Sequence, residues 1–146
     1  MFQFLVVRHN EDEISRVRTL AKELGVDEVA FKTAQVYDYK NGSELIPRND
    51  RYARYKKLAD GTYSIKNKLL NHCWKMWNSC VITWDGKVVP CCFDKDATHV
   101  LGNVSNQSFQ SVWTSDAYQA FRSSLLKSRN EIEICTNCTE GTKVWA

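Results

Sequence analysis

Apolar and polar positions along the chain spell out a short strand, an amphipathic helix and a second strand at the front. Residues 3 to 7 form an apolar run with Leu5, Val6 and Val7, suited to a strand buried on both faces. Ile14, Val17, Ala21 and Leu24 then recur at spacings of three and four, the period of a helix with one apolar face. Asn10 offers an N-cap, Glu11, Asp12 and Glu13 place negative charge in the first turn, and Gly25 is a stop signal. Val26 to Phe31 reads as the next strand, completing a β-α-β unit. About 30 residues cannot bury both faces of two apolar strands, so residues 1–35 are expected to be the end of a larger α/β layer.

From Thr33 to Asn71 the chain is polar and rich in tyrosine, with turn signals at Asn41-Gly42, Pro47 and Asp60-Gly61. Residues 36–70 are therefore expected to be a connector more than a core. The pattern changes again after Cys73. Val81 to Trp84 and Lys87 to Val89 flank Asp85-Gly86, a strong hairpin signal. A two-residue turn there pairs residue 84 with 87, 82 with 89 and 80 with 91, which sets Cys80 across from Cys91. Leu101 to Val104 adds a short strand, and a helix is expected from Asp116 to Lys127, capped by Ser115, with Ala117, Phe121 and Leu125 on its buried face. The fold class is α+β.

Composition narrows the possible functions. The 146 residues carry 20 basic and 17 acidic side chains, a formal net charge of +3, with 43% hydrophobic residues, as in ordinary globular proteins. No apolar run approaches the roughly 20 residues of a membrane span, and no basic stretch precedes the first apolar run as in a secretory signal. A cytoplasmic location with no membrane partner is the expectation. The locally basic run Arg48 to Lys57, with Tyr52 and Tyr55, has the residue types of a nucleic-acid surface, but a solvated basic face outweighs that reading.

All six cysteines, Cys73, Cys80, Cys91, Cys92, Cys135 and Cys138, lie in the second half of the chain. In a reducing compartment clustered thiols serve as metal ligands more often than as disulfides, and Cys135-x2-Cys138 has the spacing with which two thiolates grip one centre. With Cys73 and Cys91, four soft ligands can converge. They suit Zn²⁺ in an all-sulfur site or an iron–sulfur cluster, and spacing does not choose between them. His72 and His99 lack the spacing of a histidine pair and are read as ordinary side chains. Trp74, Trp77, Trp84 and Trp113 suit core packing or the shielding of a cluster from water.

The run Cys73-x12-Gly86-x4-Cys91 resembles the opening of the SPASM domain, and Leu101-Gly102-Asn103-Val104, Trp113, Tyr118 to Arg122 and Cys135-x2-Cys138 are similar to its later landmarks. SPASM and the shorter twitch domains are C-terminal extensions of radical S-adenosylmethionine enzymes that carry auxiliary [4Fe–4S] clusters. Val6 to Ile14 through Leu24 to Asp27 likewise resembles the last β/α elements of the radical S-adenosylmethionine partial barrel. The resemblance implies three segments: 1–35 as a remnant of a partial TIM barrel, 36–70 as a connector, and 71–146 as a SPASM/twitch-like domain with a hairpin and helix around a metal cluster.

It further implies one [4Fe–4S] cluster on Cys73, Cys91, Cys135 and Cys138, with Cys80 or Cys92 as alternates, acting in electron transfer or substrate anchoring. In the family a 5′-deoxyadenosyl radical attacks substrates that include peptides and small molecules. The implied partners are the remainder of a barrel and such a substrate. No C-x3-C-x2-C motif is present, so S-adenosylmethionine belongs only to a complete parent enzyme, and this chain alone is not expected to be active. No cysteine follows Cys138, so a second auxiliary cluster is not expected. A zinc-stabilised structural module without a redox role is the alternative, and a disulfide-stabilised domain ranks below it.

Overall fold

A computed structural model describes residues 1–141, in two compact units, Met1–Lys68 and Leu69 onward. Residues 142–146, the tail of the third expected segment, lie outside the described residues. No described helix is long and apolar enough to cross a membrane.

The first unit opens with strand β1 (Phe2–Val6), helix α1 (Ile14–Glu23) and strand β2 (Val29–Thr33). β1 and β2 pair in parallel, Phe2 with Val29 through Val6 with Thr33, as a β-α-β connection allows. Gly25 ends the helix at φ +64°, with Val26 N–H donating to the Ala21 carbonyl and Gly25 N–H to that of Lys22, the paired bonds of a Schellman turn. Asn10 departs from expectation. Its side chain accepts from Val7 N–H and donates to the Leu5 carbonyl, so it ties off the strand and leaves a 3-10 turn, Glu11–Glu13, to start the helix. Burial of β1 on both faces is also not what the unit provides: Val6 is buried while Leu5 is 53% exposed.

The stretch expected to be a connector has its own small core. Strands β3 (Tyr55–Lys57) and β4 (Tyr63–Ile65) form an antiparallel hairpin, and Val36, Tyr39, Ile46, Ala53 and Tyr55 are buried together. The tyrosines supply this core, which apolar periodicity does not register. Tyr39 stacks on Tyr55 at 4.6 Å, and the Tyr55 hydroxyl donates to the Val36 carbonyl while accepting its N–H. An aromatic of the basic run is thus internal, which weakens its nucleic-acid reading further.

The second unit runs through helix α2 (Lys75–Asn78), strands β5 (Val81–Ile82), β6 (Lys87–Val89) and β7 (Gly102–Asn103), and helices α3 (Phe109–Trp113) and α4 (Asp116–Ser128). The three strands form one antiparallel sheet in the order β5-β6-β7. Its core gathers Met76, Val88, Leu101, Val112, Tyr118, Phe121 and Leu125.

Ser115 caps α4 as expected, its hydroxyl accepting from Tyr118 N–H, but the buried face differs. Tyr118, Phe121, Arg122 and Leu125 face inward, whereas Ala117 is exposed. The Arg122 guanidinium makes this possible by lying over the rings of Trp113 and Tyr118, at 4.5 and 4.2 Å, and donating to the carbonyls of Met76 and Trp113.

The hairpin register is one residue off the expected one. Val81 pairs with Val89 and Ile82 with Val88, and Thr83 N–H donates to the Lys87 carbonyl across a three-residue loop. Gly86, at φ +80°, takes the left-handed position of that loop. It is clasped by the β7 end: a Cβ there would collide with the Ser105 hydroxyl, and Val104 N–H donates to the Gly86 carbonyl. In this register residue 80 faces residue 90, so Cys80 does not stand across from Cys91.

Candidate metal centre

Cys73, Cys91, Cys135 and Cys138 reach one small cavity from three parts of the second unit. Cys73 stands just before α2, where its carbonyl accepts from Met76 N–H. Cys91 follows β6 through Pro90, directly after the buried Val88 and Val89. Cys135 and Cys138 lie on successive tight turns past α4: Cys135 N–H donates to the Ile132 carbonyl, and Cys138 N–H to that of Cys135. Met76, Phe93, Phe121, Leu125 and Ile134 wall the same cavity, so the sulfurs sit in an apolar surround.

Two backbone features fit the cavity to sulfur ligands. Glu140 N–H donates to the Cys138 sulfur at 3.3 Å, the kind of bond that steadies a thiolate. Gly141, at φ +78°, packs so closely on the Cys73 sulfur that a Cβ would overlap it. The loop after Cys91 is held from within. Asp94 is buried and accepts from Thr98 N–H, the Thr98 hydroxyl and His99 N–H at 2.8 to 2.9 Å, while its own N–H donates to the Cys91 carbonyl. Ala97 in this loop adopts φ +51°, a conformation those bonds must sustain. Replacing Asp94 by Ala is expected to cost about 1–3 kcal/mol, because it removes three partly buried hydrogen bonds to one carboxylate. Urea unfolding of the parent, Asp94→Ala and Asp94→Asn chains checks this, with Asn recovering part of the loss.

At three of these cysteines burial favours the protonated thiol. Burial pushes Cys91 up to about 12, opposed by the Phe93 N–H and reinforced by neighbouring Cys135 and Cys138. Burial pushes Cys135 up to about 11, opposed mainly by the Arg129 charge. Cys138 is also raised by burial, with Glu140 N–H and Arg129 pulling the other way. A metal that binds here must displace these protons, so loading releases acid.

Cys92 is exposed and Cys80 half-buried, and neither lines the cavity. None of the six cysteines is in a disulfide, and the shifted register removes the cross-strand arrangement on which a Cys80–Cys91 bridge depended. Among the described residues no three His, Cys, Asp or Glu side chains stand close enough to hold a single metal ion. His99 packs edge-on against Phe121 at 5.3 Å. Among the described residues no tryptophan lines the four-cysteine cavity: Trp74 and Trp77 are half exposed, Trp84 is almost fully so, and Trp113 packs on Tyr118. Met76, Phe93 and Phe121 line it instead. Sequence reasoning also passed over Arg129, which borders the cavity; a basic residue just past a helix end reads as a partner for the helix dipole.

The donor set, four soft sulfurs in an apolar pocket with N–H and guanidinium groups beside them, suits an iron–sulfur group. A family model described as an iron–sulfur cluster-binding domain, SPASM, matches residues 73–139, from the first of these cysteines to one residue past the last. These residues are a SPASM domain. The S-adenosyl-L-methionine-dependent 2-deoxy-scyllo-inosamine dehydrogenase of Niallia circulans is 34% identical over 62 residues, 42% of this chain. That match spans only 25% of the dehydrogenase. A crystal structure of BtrN in an open conformation aligns with 93% of this chain and 56% of its own, at 20% identity and a TM-score of 0.43. Within the SPASM domain, Gly86 of the Cys-Gly-Cys pattern is the loop glycine whose left-handed conformation sets the hairpin register ahead of Cys91.

Proposed function

We propose that the SPASM domain holds one auxiliary [4Fe–4S] cluster through Cys73, Cys91, Cys135 and Cys138, in a radical S-adenosylmethionine-type enzyme that modifies a peptide or small molecule. The observation that carries this reading is the convergence of four cysteines from three separated segments on one apolar cavity. A bound cluster would supply one-electron transfer or an anchoring point for substrate. The chain's own contribution is to fix the sulfurs, exclude water with Met76, Phe93 and Phe121, and offer the Glu140 N–H to Cys138.

The first unit fits the same reading. Its parallel β1-α1-β2 has the connectivity of a β/α barrel repeat, and Leu5, Leu20 and Leu24 are each about half exposed or more, as at the edge of a larger layer. The remaining barrel and its S-adenosylmethionine site would belong to the parent enzyme.

Anaerobic reconstitution with iron and sulfide, followed by metal analysis and an absorption spectrum, tests the proposal. About four irons and four sulfides per chain, with a brown chromophore, is the expected result. One zinc and no sulfide, even with iron and sulfide supplied, would make the site a structural zinc staple and remove the redox role.

A further inference from the structure

Arg129 is the largest fully buried side chain among the described residues, at 0% exposure. Its Nη1 donates to the His72 carbonyl at 3.0 Å and its Nη2 to the Glu140 carbonyl at 2.8 Å, while Nε has no hydrogen-bond partner among the described residues. Among the described residues no carboxylate lies within ion-pair distance of it, and the Glu140 carboxylate pairs with Lys75 at 3.3 Å instead. Arg122, the buried arginine of α4, rests on two aromatic faces. Arg129 instead borders the four-cysteine cavity, bonded to the backbone of residues beside Cys73 and beyond Cys138.

A buried cation without a counter-anion is costly, and folded proteins avoid it. Four thiolates around an iron–sulfur core make a net anionic site, and reduction adds one more negative charge. We propose that Arg129 is the buried counter-cation of the four-cysteine centre and holds its reduction potential up by stabilising the more negative, reduced state. It acts through charge, as a positioning residue with no ligand role. This inference rests on the cluster reading above.

The test uses the full chain, Arg129→Lys and Arg129→Gln, each reconstituted anaerobically and assayed for iron and sulfide before a dithionite titration followed by electron paramagnetic resonance. The parent and Arg129→Lys are expected to share a midpoint. Arg129→Gln is expected to shift the reduction equilibrium at least tenfold against the reduced state, about 59 mV for a one-electron couple. A loaded Arg129→Gln with the parent's midpoint overturns the proposal. A parent that takes up no iron and sulfide overturns the cluster reading itself, and this inference with it.

If Arg129→Gln folds without loading, restored loading in Arg129→Lys supports the counter-charge, and failure of both variants overturns it. Urea unfolding of the unloaded chains closes the remaining case. An unloaded Arg129→Gln as stable as the parent is expected, and one that cannot fold makes Arg129 a structural clamp and overturns the proposal.

Discussion

Serine substitution at Cys73, Cys91, Cys135 or Cys138 is expected to reduce the iron and sulfide retained after reconstitution to background, whereas Cys80→Ser and Cys92→Ser keep the parent's content and spectrum. The contrast follows from where the sulfurs lie. The first four border a common cavity, and the other two do not. Cys92 is exposed to solvent, and the three-residue hairpin loop rotates Cys80 out of line with Cys91. Cys80 is the sharper control, because a two-residue turn would make it an exchangeable ligand. Retained cluster in Cys91→Ser together with loss in Cys80→Ser would reassign the ligand to Cys80. Iron and sulfide analysis with visible absorption reads the outcome directly, and circular dichroism on each variant separates lost ligation from lost fold.

Leu125→Ala is expected to destabilise the second unit by about 2–5 kcal/mol, against less than about 0.5 kcal/mol for Leu126→Ala next to it. Leu125 is 1% exposed and belongs both to the core with Val88 and Tyr118 and to the cavity wall beside the cysteines. Leu126 is 52% exposed. Close-packed surroundings relax only partly around a deleted isobutyl group, so the loss combines transfer energy with a residual void. Domains are stable by only about 5–15 kcal/mol, so this one truncation removes a large share of the total. Urea unfolding monitored by tryptophan fluorescence checks both variants. Equal midpoints would place the core elsewhere than around α4.

Much of the fold was legible where the chain obeys a simple period. The strand, helix and strand of the first unit, the Gly25 stop and the Ser115 cap all follow from apolar spacing and terminus chemistry. Two of the misses share one cause, polar or aromatic side chains doing the work of apolar ones. Tyr39 and Tyr55 build a core in a stretch that looked like a linker, and Arg122 takes an inward position on α4 that spacing assigned to Ala117. Asn10 carried the residue type of a helix cap but satisfied the strand end instead.

The hairpin shows how a single residue of turn length decides a face. Asp85-Gly86 marked the turn correctly, but the left-handed glycine serves a three-residue loop, and every pairing beyond it moves by one. At the candidate site the cysteine spacing named the sulfurs that border the cavity. It was silent on Arg129, Asp94 and Gly141, whose parts depend on contacts made across long stretches of chain.

The tie between the two ends of the second unit bears on the order in which it is assembled. Trp74 N–H meets the Gly141 carbonyl, and one guanidinium joins residues 72 and 140, so these bonds close nearly the longest loop the unit can contain. Long loops carry the greatest closure entropy, and such contacts form after local hairpins and helices have shortened the effective chain. The sulfurs at the two ends therefore come into reach only when the sheet and α4 are in place, and a metal meets a scaffold that is already nearly complete.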